Sequence, residues 1–185
     1  MRIQMAELLE KIPPEKRWAI TAKILLNFTF LRGSLIVVPL LGMGEGIIAP
    51  VWGWEKFREI NTKIWAEVNK KLLLYTKEKF NISVEDAVDA AHLTCVMASL
   101  QSGPEWECEY PEATRERAVV RNTKCPWWER YKEFKIKPEL SLCDVGHQSG
   151  NKEGLKAINP KIKYTMTKAR PWGDPYCEDV HEFTE

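Results

Sequence analysis

The chain has 185 residues, of which 44% are hydrophobic and 29% are charged, a composition typical of a folded globular protein. Its 27 basic residues nearly balance its 26 acidic residues, so the formal net charge is +1. We therefore expect no nucleic acid partner, because the chain has no overall positive field. Eight tryptophans predict a well-filled core or an aromatic-walled pocket.

The first half of the chain contains neither a recognisable export signal nor a convincing membrane span. Residues 1–11 lack the long apolar run of a signal peptide, so we predict a cytoplasmic protein whose five cysteines remain thiols. The apolar stretch from Ser34 to Trp54 is long enough to span a bilayer, but Glu45, two prolines and four glycines argue against a membrane span. We interpret it as a buried irregular segment or as the wall of an apolar cavity.

The first half of the sequence is predicted to be helical. Residues 57–75 repeat apolar side chains every three or four positions, which is typical of an amphipathic helix of five or six turns. Its apolar face either packs in the core, which is the simpler interpretation, or joins two copies in a homo-oligomer. Ser83 and Asp86 resemble a capping box that starts a second helix, and Gly103 and Pro104 end that helix.

The pattern after residue 104 changes to a period of two. Trp106, Cys108 and Tyr110 alternate with glutamates, which predicts a strand that ends in a turn at residues 111–113. The next strand places arginines beside those glutamates, a favourable cross-strand pairing. Five elements follow the first strand, in the order strand, helix, helix, strand and strand: 115–124, 127–134, 138–158, 162–166 and 176–183.

This succession of helices and then strands predicts the α+β fold class. The helical half would pack on a four-stranded antiparallel sheet with the order strand, strand, helix, strand, strand along the chain. We expect residues 1–185 to form a single domain, with a helical part over 1–103 and the sheet and its cysteines over 104–185.

Three cysteines at predicted element boundaries carry the most chemical information in the sequence. They are Cys125, Cys143 and Cys177, and His147 shares a helix face with Cys143 because four residues separate them. Three thiols and an imidazole are soft ligands that suit zinc or iron. The spacing matches no standard zinc motif, and buried, unreactive thiols are the simpler alternative.

One of these thiols would alternatively be a catalytic nucleophile. Cys177, Asp179 and His181 lie on one face of a predicted strand, since strand side chains alternate with a period of two. His147 or His181 would then act as the base, and Asp144 or Asp179 would orient it. The remaining cysteines, at positions 95 and 108, lie on apolar faces and are predicted to belong to the core.

Four short segments of the second half stand at a distinctive spacing: Cys125-Pro126-Trp127-Trp128, Cys143, Ile158-Asn159-Pro160 and Trp172-Gly173-Asp174-Pro175-Tyr176-Cys177. This pattern resembles the L-2-amino-thiazoline-4-carboxylate hydrolase family, which is itself similar to the vinyl-4-reductase domain. Both look like the small ligand-binding fold shared with haem nitric-oxide sensors and Golgi-tethering subunits. The resemblance covers roughly residues 105–185.

The resemblance implies a pocket between the helices and the sheet, with Cys125, Cys143 and Cys177 at its floor. In that family the reaction is hydrolytic opening of a cyclic C–N bond, which gives S-carbamoyl-cysteine from a thiazoline. Family members place an acid a few residues after the middle cysteine, and here either Asp144 is that acid or His147 replaces it. Three tryptophans are predicted to line the pocket: Trp127, Trp128 and Trp172.

Two functions are therefore predicted. The first is a hydrolase that acts on a non-peptide C–N bond of a small cyclic amidine-like substrate, with Cys143 or Cys177 as nucleophile and a histidine as acid and base. The alternative is a non-enzymatic module that binds a small molecule or a metal as a sensor. We favour the enzyme, because three thiols and two imidazoles occur in one half of the chain.

Overall fold

Four α-helices and four strands make up the described part of the computed structural model, residues 54–103, 105–133, 135, 138 and 143–184. The helices are α1 (Trp54–Phe80), α2 (Ala87–Ser102), α3 (Pro126–Glu133) and α4 (Cys143–Ile158). The strands are β1 (Glu107–Ala113), β2 (Arg117–Lys124), β3 (Ile162–Lys168) and β4 (Cys177–Phe183). The predictions for residues 1–53, which include most of the apolar 34–54 stretch, lie outside these described ranges.

The strands form one antiparallel sheet with the order β1-β2-β4-β3. The predicted α+β class and the four-stranded sheet are therefore confirmed. The alternation predicted for the third strand is also confirmed, since Ile162, Tyr164 and Met166 are buried while Lys163 and Thr165 are exposed. Helix α2 covers the inner face of the sheet, which is the face that carries these buried side chains.

The hairpin between β1 and β2 turns three residues later than predicted. The predicted turn at residues 111–113 is wrong, because β1 continues to Ala113. The Thr114 hydroxyl instead accepts from the Arg117 amide at 3.0 Å, and the two residues also pair through their backbones. Pro111 is tolerated because β1 is an edge strand. The predicted pairing of glutamates with arginines is confirmed for Arg121 and Glu109, whereas Glu107 pairs with Lys124 and Arg117 pairs with Glu112 of the predicted turn.

Helix α2 is capped by Asp86 rather than by Ser83, so the predicted capping box is wrong. The Asp86 side chain accepts a hydrogen bond from the Asp89 amide at 3.0 Å, and α2 begins at the next residue after Asp86. Ser83 is exposed and its hydroxyl donates to the Glu85 carboxylate. Aspartate is as good a cap as serine, and its charge also suits the positive end of the helix dipole.

Helices α1 and α4 pack closely, and this contact shifts the buried face of α1 from its predicted position. The predicted apolar face ran through Leu72 to Tyr75, but Tyr75 is 39% exposed, while Asn69 and Leu73 are buried. The reason lies in α4, where Gly150 sits against the Asn69 side chain and allows the two helix backbones to approach. The α1 face is therefore used inside the molecule, as core packing predicts.

The main core lies between α2, α1, α4 and the inner face of the sheet. Its fully buried centre includes Leu73, Leu93 and Leu155, one from each of the three helices. A second cluster joins small residues of α2 to Trp106 and to Val120 of β2. None of the helices in the described ranges combines the length and the apolar character that crossing a membrane requires.

Candidate functional site

A buried carboxylate, Asp179, lies on the inner face of β4 and is only 6% exposed. Its two oxygens are held from the neighbouring strands, since the Tyr164 hydroxyl donates to Oδ1 at 2.6 Å and the Asn122 side-chain amide donates to Oδ2 at 3.2 Å. Within the described residues, no lysine or arginine forms an ion pair with this carboxylate. A buried carboxylate held only by uncharged donors is costly, so another donor or a positive group would stabilise it.

Helix α4 brings two further polar side chains to the same place. His147 and Asn151 lie four residues apart and therefore share one helix face. The His147 Nδ1 atom is 3.9 Å from the Asp179 Oδ2 atom, and the Asn151 side chain is close enough to the Tyr164 hydroxyl to lower its pKa. We call these residues, together with Asn122, the Asp179 cluster.

Three buried atoms of the Asp179 cluster have no hydrogen-bond partner within the described part of the chain. They are Asn122 Oδ1, Asn151 Oδ1 and His147 Nδ1. Buried polar atoms in native proteins nearly always have a partner, so a water or a ligand group is expected here. Two of the three are amide oxygens, which accept but cannot donate, so they favour a hydrogen-bond donor.

Tyr164 remains a proton donor in this cluster at neutral pH. Burial raises the pKa of its hydroxyl well above the usual value, and the negative charge of Asp179 raises it further. The short Tyr164–Asp179 hydrogen bond is therefore charge-assisted, with the tyrosine as the donor. This bond fixes the carboxylate against the floor of the sheet.

Cys177, one of the three predicted site cysteines, lies beside Arg170, and Cys125 is near enough to raise the pKa of Cys177. The Arg170 amide donates to the Cys177 sulfur at 3.5 Å, and the two thiols interact electrostatically with each other. The Arg170 Nη2 group donates to the Thr123 carbonyl at 2.8 Å, whereas its Nη1 group is buried with no partner among the described residues. A guanidinium with a free donor suits an anionic group such as a carboxylate.

Both of these thiols are protonated at neutral pH. Burial raises the pKa of Cys177 to about 11, and burial also raises the pKa of Cys125. The effect on Cys125 is opposed by backbone hydrogen bonds from Trp127 and Trp128, which occupy the first turn of α3 and are half-buried. Two of the three tryptophans predicted as pocket walls thus lie beside a predicted site cysteine.

Asp144 ties three elements together at the start of α4. Its Oδ2 atom accepts from the Arg58 guanidinium at 2.9 Å and from the Trp172 indole at 3.2 Å. Trp172 is 48% exposed, so it presents much of its ring to solvent. Cys143 is the first residue of α4, and its side chain lies outside the described residues. Asp179 rather than Asp144 is the acid that we find beside His147.

His181, a predicted catalytic base, is completely buried in the core. Its Nε2 atom lies 3.1 Å from the Thr94 hydroxyl. Its ring packs edge-on against the Tyr164 ring, with 5.2 Å between the two ring centres. Burial lowers the pKa of His181 to about 4, although the nearby Asp179 charge opposes the shift. The imidazole is therefore uncharged at neutral pH.

The predicted zinc or iron site is not formed by the described residues alone. Among their side chains, which exclude Cys143, no group of three or more His, Cys, Asp or Glu residues could hold a metal ion. Cys125 raises the pKa of Cys177, and His147 lies beside Asp179.

Sequence reasoning missed the uncharged members of the Asp179 cluster. Asn122 follows Ala118 and Val120 at a period of two, so strand alternation could have placed it on the inner face. Asn151 follows His147 by four residues on a predicted helix, which is also a usable signal. Arg170 stands in a turn region, and nothing in its sequence context pointed to the two cysteines.

Comparison with known proteins relates the chain to others only through its fold. No protein-family model matches it, and no curated protein matches it. It is similar to a trafficking protein particle complex subunit 3 from Naegleria fowleri covalently bound to palmitic acid, with 15% identity and a TM-score of 0.52 over 81% of this chain and 96% of that one.

A second similar structure is the phenol-responsive sensory domain of the transcription activator PoxR with phenol. The identity is 10% and the TM-score is 0.51, over 78% of this chain and 74% of that one. At such identities the likeness shows a shared fold and not a shared function. Palmitic acid and phenol are ligands of those two proteins.

Proposed function

We propose that the protein binds a small organic molecule on the inner face of its sheet, at the Asp179 cluster. The observation that carries this proposal is a buried carboxylate that no described lysine or arginine neutralises, surrounded by three buried polar atoms without partners. A ligand group that donates hydrogen bonds, such as an amine or an amidine, would satisfy Asp179 and both amide oxygens.

The free Nη1 group of Arg170 supports an acidic group at the other end of the ligand. Arg170 contacts Cys177, which lies two residues before Asp179 on the same face of β4. Two residues along a strand span about 7 Å, so Cys177 and Asp179 are separated by about the length of a small molecule. The preferred ligand class is therefore a compact molecule with a donor group and a carboxylate.

The shared fold adds support of a general kind. Both similar structures contain a small molecule, palmitic acid in one and phenol in the other. The fold is thus able to hold small organic molecules, although those two ligands differ from each other in size and polarity. For this chain, the choice of ligand rests on the charged side chains rather than on the fold.

Calorimetric titration with three probes tests the proposal. L-2-amino-thiazoline-4-carboxylate carries both of the expected groups, whereas phenol and palmitate each carry one polar group. We expect the first probe to bind most tightly, and Asp179→Asn to weaken its binding roughly 10- to 100-fold, because the variant loses a charge-assisted hydrogen bond. Glu182→Gln, a change on the same strand, should leave the affinity unchanged. Equal affinity in Asp179→Asn and the wild type would contradict the proposal.

A hydrolase is the second candidate, favoured by the nearness of His147 to Asp179, since the His147 Nδ1 atom lies 3.9 Å from the Asp179 Oδ2 atom. An imidazole beside a carboxylate is the usual arrangement of a general base. The His147 imidazole would take a proton from a water molecule as the water oxygen attacks the amidine-like carbon of the substrate. It would then give that proton to the ring nitrogen of the substrate as the C–N bond breaks. Cys125 and Cys177 are protonated thiols in this scheme, so Cys143 is the thiol that we propose for a covalent route.

Incubation with L-2-amino-thiazoline-4-carboxylate separates the two candidates, with S-carbamoyl-cysteine measured by mass spectrometry. If the protein is a hydrolase, His147→Gln should lower the rate at least about 100-fold, since a general base contributes that much or more. Cys143→Ser should abolish turnover only if the reaction is covalent. His92→Gln is the matched control. A wild-type protein that binds the probe without converting it would leave the binding module as the function.

A further inference from the structure

A second pair of thiols lies away from the Asp179 cluster, where α2 faces the edge strand β1. The sulfur atoms of Cys95 and Cys108 are 3.8 Å apart, and neither residue is in a disulfide. Cys95 is only 1% exposed, whereas Cys108 is half-buried. Both were predicted to belong to the core, and the structure confirms this, but their direct contact was not predicted.

Small side chains allow this contact. Ala91 lies one helical turn before Cys95, and Ala118 lies on the neighbouring strand, both fully buried in the same cluster. A disulfide requires the sulfurs to approach to about 2.0 Å, so closing the gap needs a movement of less than about 2 Å. The more accessible thiol, Cys108, stands on the edge strand of the sheet, where a small reagent can reach it.

We infer that Cys95 and Cys108 form a site of reversible disulfide exchange, which joins α2 to β1 when a low-molecular-weight disulfide is present. The co-reactant class is a small disulfide such as oxidised glutathione. The inference is independent of the proposed ligand site, because it uses different residues and a different chemistry.

The exchange has two balanced steps. In the first, the Cys108 thiolate attacks one sulfur of the small disulfide, forms a mixed disulfide and releases one small thiolate, while its own proton goes to solvent. In the second, the Cys95 sulfur attacks the Cys108 sulfur, loses its proton and expels the second small thiol. The protein loses two hydrogen atoms and the small disulfide is reduced to two thiols.

The order of these two steps requires Cys108 to react with the outside reagent more readily than Cys95 does. Burial raises the pKa of Cys95 well above the usual value, so Cys95 is the poorer first nucleophile. A hydrogen bond from the Tyr110 side chain opposes that shift and stabilises the Cys95 thiolate. Cys108 therefore reacts first with the outside reagent, and Cys95 resolves the mixed disulfide from within the core.

Mass spectrometry of the folded, full-length protein tests this inference. The protein is incubated with glutathione disulfide at mild alkaline pH, and its remaining thiols are blocked with N-ethylmaleimide before digestion with trypsin. One tryptic peptide, residues 80–115, contains both cysteines. We expect this peptide to be lighter than the reduced form by two hydrogens and to carry no maleimide. Cleavage at Glu105 and Glu107 should then leave the two halves joined until a reductant is added.

Single variants provide the controls. In Cys95→Ser, Cys108 should retain glutathione, because no resolving thiol is present, whereas in Cys108→Ser, Cys95 should stay unmodified in the folded protein. Cys125→Ser should form the link as the wild type does. The oxidised wild-type protein should also melt at a higher temperature than the reduced form. The inference is overturned if wild-type Cys108 accumulates glutathione without forming the link, or if both cysteines react only after unfolding.

Discussion

Replacing Gly150 with alanine is expected to lower the free energy of unfolding by about 2 kcal/mol, since overpacking a core contact typically costs 1–3 kcal/mol. A Cβ atom at Gly150 would lie 2.5 Å from the Asn69 Cβ and 2.2 Å from the Asn69 Nδ2. The Asn69 Cβ is attached to the backbone of α1 and cannot rotate away, so α1 and α4 must separate. Alanine favours a helix over glycine by about 1 kcal/mol, which offsets only part of the loss.

Chemical denaturation of Gly150→Ala, the wild type and two controls measures this effect. Lys152→Ala changes an exposed position of the same helix and should leave stability within about 0.5 kcal/mol. Asn69→Gly removes the atom that the new methyl group meets, so the double variant should be more stable than the two single effects predict. A Gly150→Ala protein as stable as the wild type, with no coupling to Asn69, would show that the helices do not pack this closely.

The close contact of α1 and α4 also explains why the buried face of α1 could not be placed from its own sequence. The apolar period correctly includes Val68, which is buried, and Leu72, which packs against the core, but it also includes the exposed Tyr75. It leaves out Asn69 and Leu73, which pack against the glycines of the partner helix. The strands were easier to predict, since alternation alone decides which side chains face the core, as in β3.

For the candidate site, too, local sequence patterns predict which face of an element a side chain lies on, but not which elements meet. Strand and helix periods place Asp179 on the inner face of β4, and His147 on one face of α4. That the two meet depends on how α4 docks on the sheet, which no local pattern contains. The charged neighbour of Cys177, Arg170, comes from a segment outside the helices and strands and was not predicted.

Uncharged polar residues were missed because a single asparagine or tyrosine has several ordinary roles. Tyr164 was counted as an apolar strand residue, and its hydroxyl became informative only when the Asp179 oxygen was found 2.6 Å away. Buried Asn122 and Asn151 show the same point, since their importance follows from the partners they lack. Chemistry that depends on unsatisfied atoms is therefore visible only in three dimensions.

Acidification is expected to destabilise the protein through His181. Burial lowers its pKa from 6.5 to about 4 in the folded protein, whereas the unfolded chain keeps the ordinary value. Between these two values the unfolded state binds a proton that the folded state does not, so stability falls as the pH is lowered. The contribution is complete above pH 6.5 and lost by about pH 4, and the difference in pKa corresponds to about 3 kcal/mol.

Urea denaturation of the wild type and His181→Gln between pH 7 and pH 4 isolates this contribution. The variant should be less stable at pH 7, because the replacement disturbs the packing against Tyr164 and the hydrogen bond to Thr94. The variant should nevertheless lose less stability on acidification than the wild type. The difference between their free energies of unfolding should therefore narrow by about 3 kcal/mol. His92→Gln is the control, since burial lowers the pKa of half-buried His92 as well, and a smaller change is expected there. Parallel pH curves for the wild type and His181→Gln would contradict the prediction, because they would mean that the folded protein does not lower the pKa of His181.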